Sequence, residues 1–179
     1  ESTTASITFY REIAATFNDF SGNQVLELAA LASDPANKDD AIDKAIFEAY
    51  AKMAGFGTDV DAAAESIKKK FKQEQYYGFS PVTKRTVADV IEIVPNKLMR
   101  VAKGNVSQIL KTTEGDGGQQ WTVSKYEETK EKVEAADTTF GKSGYKTIGV
   151  AVSINDGPML YAGTLPMMTA AAEKAAAEK

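Results

Sequence analysis

Hydrophobic and polar positions follow one rhythm early in the chain and another in its middle. The β-branched and aromatic run Ile7-Thr8-Phe9-Tyr10 predicts a strand. Ser21 and Gln24 form a capping-box pattern ahead of the apolar run from Val25 to Ala32, which predicts a helix. Beyond the polar loop Asp34-Pro35-Ala36-Asn37-Lys38, the residues Ile42, Ile46, Ala49, Tyr50 and Met53 recur at helical spacing until Gly55 and Gly57 stop them. A charged helix is expected from about Asp59 to Phe71, with Ile67 and Phe71 on one side. The rhythm then shortens. Strands are predicted over Gln75 to Ser80, Thr86 to Val94 and Leu98 to Lys103, the last two joined by a turn at Pro95-Asn96-Lys97.

A short helix from Val106 to Lys111 leads into the glycine-rich loop at Gly115 to Gly118. A long charged helix is expected from Val123 to Lys142, burying Tyr126, Val133, Ala136 and Phe140 and ending at Gly144. Tyr145 to Ile154 reads as a strand, Asn155-Asp156-Gly157 is a hairpin signal, and Met159 to Gly163 pairs back. Helices gather early and strands centrally, without a βαβ rhythm. That order predicts an α+β fold: a twisted antiparallel sheet flanked by helices.

Composition narrows the function classes. With 179 residues, 43% hydrophobic and 26% charged, the chain is sized and balanced for one soluble domain, expected to be a monomer. No apolar run approaches the ~20 residues of a membrane helix, and no secretory signal pattern opens the chain. A net charge of −4 argues against nucleic-acid or membrane-surface binding. Cysteine is absent, which removes disulfides and thiol nucleophiles; histidine is absent too, which removes the commonest general base and zinc ligand. No catalytic or metal-binding residues are assigned. The alanine-rich stretch 169–179 is helix-prone without an apolar face, and reads as a linker or expression artefact following a domain over 1–168.

Three motifs carry candidate chemistry. Ala136 to Ser143 matches a permissive phosphate-loop pattern ending in Lys142-Ser143, but a charged helix precedes the lysine and a strand follows it. A phosphate loop needs the reverse order, so a helix C-cap is favoured there. In Gly78-Phe79-Ser80-Pro81-Val82-Thr83-Lys84-Arg85-Thr86, an aromatic ring and a lysine flank a proline-bearing bend, which suits stacking plus charge on one ligand. Taken alone, Phe79 reads as a core residue and Lys84-Arg85 as a solvated pair. Lys103-Gly104 closes a strand with a point charge and a residue that admits close approach, or is simply a strand end.

In order, Asp40-Ala41-Ile42-Asp43-Lys44-Ala45, the Phe79 to Thr86 segment, Lys103-Gly104 with Ile109-Leu110, and Gly144-Tyr145-Lys146-Thr147-Ile148-Gly149-Val150-Ala151 resemble the nucleotide-binding domain of P-type ATPases. The wording is most similar to the plasma-membrane proton-pump branch, and the resemblance covers roughly residues 5 to 168. It implies that Phe79 stacks on adenine, Lys84 lines the same pocket, and Lys103 with Gly104 forms the floor beside base and ribose. It further implies that Asp43 hydrogen-bonds the adenine amino group and that Lys146 stands where the family has a phosphate-reaching arginine. Leu165-Pro166 is similar to the strand that returns to the phosphorylation domain.

The implied ligand is ATP, with Mg²⁺ in the parent enzyme, and the implied partners are the pump's phosphorylation and actuator domains. The implied place is the cytoplasmic side of a plasma-membrane pump. Two departures stand out: Asn105-Val106 replaces the family's Ala-Pro, and Lys146 replaces a bidentate fork by a point charge. The phosphorylated Asp-Lys-Thr-Gly-Thr motif does not occur, so this piece is expected to bind ATP without turning it over. The alternative is an interaction or regulatory domain of the same fold that has lost nucleotide affinity.

Overall fold

Local capping chemistry starts the helices of the computed structural model, which describes residues 6–37, 39–114 and 123–178. At α1 (Gly22–Leu31), the Ser21 side chain accepts from the Gln24 amide at 3.1 Å while Gln24 Oε1 accepts from the Ser21 amide at 2.8 Å. At α2 (Ala41–Met53), Asp40 Oδ1 accepts from the amides of Ile42 and Asp43. Asp59 caps α3 (Val60–Lys70) in the same way. Each cap satisfies amides that the first helical turn leaves without partners.

The sheet runs β1-β7-β6-β5-β4-β3, every pair antiparallel, with the short β2 (Ala15–Thr16) also against β7. Its strands are β1 (Ile7–Phe9), β3 (Phe71–Ser80), β4 (Arg85–Glu92), β5 (Lys97–Gly104), β6 (Lys146–Ile154) and β7 (Leu160–Thr169). The fold is α+β, a curled antiparallel sheet with helices on its faces, as the order of elements predicts.

Side-chain alternation gives the sheet two cores. Met99, Val101, Ile148, Val150 and Val152 face α1, α2 and α3. Ala102 and Ala151 face the other way, toward α4 (Val106–Thr112) and Val133 of α5 (Val123–Lys142). Tyr126 and Val133 are buried, as the sequence predicts, while Ala136 and Phe140 stay half-buried. Asn155 and Asp156 both take positive φ, 51° and 61°, and the Gly157 amide returns to the Ile154 carbonyl, which is the turn that twisted hairpins favour. The glycine-rich loop at 115–118 lies outside the described residues.

Besides the short β2, which has no counterpart in the sequence reading, and β4 ending at Glu92 rather than Val94, two boundaries differ in an instructive way. Phe71 does not end α3; it is the first residue of β3, buried in the inner core. Its four-residue spacing from Ile67 fits a helix, but the same burial is reached by a strand leaving directly from the helix end. β7 does not stop at Gly163 but runs on to Thr169 through Pro166. The proline is tolerated because its carbonyl, accepting from the Tyr10 amide at 3.0 Å, faces the junction between β1 and β2, where the ladder is interrupted. The final stretch forms α6 (Ala170–Ala177), with no buried residue.

Candidate functional site

Register brings the singled-out residues to one end of the sheet. Arg85 pairs with Gly104 and Gly104 with Gly149, so the β3–β4 hairpin, the end of β5 and the start of β6 lie side by side. Lys103 pairs with Thr86 on one side and Val150 on the other, and all three point to the inner face that α2 covers. Lys146 shares that face four residues before Val150. From strand geometry it lies roughly 14 Å from Lys103, four residues along and one strand across.

Phe79 is 61% exposed, which removes the core reading of this ring. It follows a register shift between Tyr77 and Ser80, which breaks the simple alternation and lets the ring stand off the sheet. The bend behind it is tight. The Lys84 amide donates to the Ser80 carbonyl at 2.7 Å, the Thr83 amide to Ser80 Oγ at 3.2 Å, and Lys84 takes a positive φ of 54°. Lys84 and Lys146 are both exposed.

Gly104 has a definite steric reason. A Cβ there would meet the Lys84 carbonyl oxygen at 2.5 Å and Arg85 Cα at 2.9 Å. The glycine therefore lets the β3–β4 hairpin close over the end of β5. Asn105 and Val106 then fit without disruption. Asn105 Oδ1 caps α4 by accepting from the Ser107 amide at 3.0 Å, and Val106 occupies the first helical position with its side chain buried.

Asp43 and Lys103 are joined directly. Lys103 Nζ lies 3.0 Å from Asp43 Oδ1, with side chains 6% and 3% exposed. Asp43 Oδ2 accepts from the Asp34 amide at 3.2 Å. The carboxylate stands in the first turn of α2, where the helix dipole favours negative charge. Breaking such a buried pair by deleting one partner costs about 3–5 kcal/mol, because the other charge is left unpaired.

Sequence reading missed Tyr76, on the inner face of β3. Burial, and then the carboxylates of Asp43, Asp34 and Asp40, push its hydroxyl up to about 12, so it stays neutral across physiological pH. Its position two residues before Gly78 on an alternating strand was the available signal.

The phosphate-loop pattern is spent on a helix end. The Ser143 amide donates to the carbonyls of Thr139 and Phe140, the Gly144 amide to that of Gly141, and Lys142 is the exposed last residue of α5. Those amides point back into the helix. Asp43 also lines a cavity of about 280 Å³ between the 34–37 loop, α2 and α3, where Asp34, Glu48, Asp59 and Asp61 outnumber the single cation Lys44. That sign of charge repels a triphosphate, so the cavity is not favoured over the open end of the sheet.

No protein-family model matches the chain. A protein of Methanocaldococcus jannaschii, provisionally described as a cation-transporting ATPase, is 33% identical over 150 residues, 84% of this chain. A plasma membrane ATPase of Dunaliella bioculata is 24% identical over 135 residues, 75% of this chain. The chain spans 16% and 10% of the lengths of these relatives. Sequence likeness and an antiparallel sheet with flanking helices agree: this chain is a domain related to the P-type ATPases.

Proposed function

We propose that the chain is the ATP-binding domain of a P-type cation pump of the proton-pump kind, holding the adenine base and presenting the γ-phosphate to a phosphorylation domain. The observation that carries this is Phe79: a large ring left 61% exposed beside the Lys103–Gly104 strand end. An aromatic face is worth about 1–3 kcal/mol per stacked base, and a folded domain gains nothing by leaving one in water. Lys84 lines the same pocket, the Lys103 stem and Gly104 form the floor, Asp43 stands at its back, and Lys146 meets the phosphates. Phosphoryl transfer needs positioning and a metal held near the transferred group. Among the described residues no group of three or more carboxylates is placed to hold a metal ion, and no step is assigned to magnesium in this chain.

The test is a chemical-shift or calorimetric titration comparing ATP with GTP. Reversible, weak binding is expected, with ATP preferred, because one stacking face and a few exposed charges must offset the entropy of association. Phe79→Ala and Lys103→Ala are each expected to lower affinity at least tenfold, and Lys142→Ala to leave it unchanged. Equal affinity for GTP, or a dominant loss at Lys142, would refute the assignment. Failure of the unaltered chain to bind either nucleotide would favour an interaction domain of the same fold.

A further inference from the structure

We propose that Ser80 is a phosphorylation site and that Arg85, directly opposite it in the β3–β4 hairpin, receives the phosphate. Ser80 and Arg85 are register partners. Arg85 pairs in turn with Gly104, one residue beyond the inward-pointing Lys103, so Ser80 and Arg85 lie on the outer face, away from α2 and the nucleotide site. The Cβ atoms of such a pair stand about 5 Å apart, which a phosphoserine and a guanidinium span readily.

Both residues line a shallow groove of about 390 Å³, shared with Tyr77, Thr83, Val87 and Arg100. Arg100 is held by Asp89 through two hydrogen bonds. No ion pair among the described residues includes Arg85, so its guanidinium is the cation the groove leaves uncommitted. Residues 75–88 hold Lys84 and Arg85 and no carboxylate, which suits an added anion. The Thr83 amide already donates to Ser80 Oγ at 3.2 Å, and a phosphate oxygen there takes over that donor.

Of the five prolines, only Pro81 follows a hydroxyl residue, and it biases Ser80 to extended backbone. Val82 beside it is 87% exposed, so the hairpin tip stands clear for a proline-directed protein kinase. In the step, Ser80 Oγ attacks the γ-phosphorus of a nucleoside triphosphate held by that kinase. The Oγ–P bond forms, the bond to the β–γ bridging oxygen breaks, the hydroxyl proton passes to the kinase's base, and the nucleoside diphosphate leaves. The product adds a charge of about −1.5 to −2 one residue from Phe79 and on the hairpin that carries Lys84. That charge opposes an incoming triphosphate. Only this last consequence rests on the nucleotide-site reading; the phosphate receptor does not.

The unaltered chain and Ser80→Ala are incubated with a proline-directed serine/threonine kinase and radiolabelled ATP, and the label is mapped by mass spectrometry. Label on Ser80, lost in Ser80→Ala, is expected; label only elsewhere, or none, would overturn the proposal. Phosphoserine encoded at position 80 isolates the receptor from the kinase. Its ³¹P resonance should titrate below the usual second pKa of about 6, because Arg85 favours the dianion, and Arg85→Gln should return it to about 6. A titration that Arg85→Gln leaves unmoved, in a variant whose thermal melt shows it folded, would remove Arg85 as receptor and overturn the proposal. ATP affinity of the phosphorylated chain is expected to fall about threefold or more; equal affinity would overturn the effect on nucleotide. If the unmodified chain binds no ATP, the nucleotide reading falls, while the label and the ³¹P titration still decide this site.

Discussion

Single residues here are explained by what surrounds them more than by their type. Arg100 grips Asp89 with two hydrogen bonds, 2.6 and 2.9 Å, on the outer face of the sheet, and its guanidinium lies 5.8 Å from the Tyr77 ring centroid. The hydrogen bonds from Arg100 hold the Asp89 carboxyl below its usual range against the opposing effect of burial. A depressed carboxylate stabilises the fold above its unfolded pKa, about 3.9, and that contribution is lost as pH falls through the lower folded value. Arg100 is half exposed, so the contribution is screened and expected to stay under about 1 kcal/mol. Arg100→Ala should therefore lower the melting temperature slightly at pH 7, and the gap should narrow as the Asp89 carboxyl is protonated in acid. A gap that did not narrow on acidification would assign the effect to lost packing of the arginine stem instead.

At the scale of elements, Gly104 governs how two strands and a hairpin meet. Gly104→Ala sets a methyl against backbone at 2.5 and 2.9 Å, atoms that cannot rotate away. Overpacking of this kind costs about 1–3 kcal/mol. Denaturant unfolding should register that loss, and ATP affinity should fall with it, since the hairpin carrying Phe79 and Lys84 has to lift. An unchanged midpoint would mean that the hairpin is not seated on β5. The same element shows how far sequence reaches. The Asp34 to Pro35 loop, the Ser21–Gln24 cap and the Asn155–Asp156 turn are written in neighbouring residues, and each is legible there. The second half of β3 is legible too, but its first half is not, because Lys72 to Gln75 sits on an edge strand with both faces largely wet, so no two-residue alternation marks it. Residue pattern alone stops β7 at Gly163, because the tolerance of Pro166 depends on a gap between two strands from the other end of the chain; only the family likeness set a strand at Leu165-Pro166. The ion pair between Asp43 and Lys103 has no sequence signature either; only the family likeness set the two residues in one site, and only packing shows them in contact.

For the whole molecule, the decisive chemical fact is what the chain lacks in sequence. It has no histidine and no Asp-Lys-Thr-Gly-Thr motif. Incubated with radiolabelled ATP, the purified chain is expected to release no phosphate and to form no acid-stable, hydroxylamine-sensitive phosphoenzyme. Turnover that followed the protein through successive columns would overturn this. No helix among the described residues is long and apolar enough to cross a membrane. The pairing of Ile7 with Thr169 sets the first and last strands of the sheet side by side, about 5 Å apart. No other strand pair joins residues so distant in sequence, so this edge of the sheet carries the largest loop-closure cost of the described ladder.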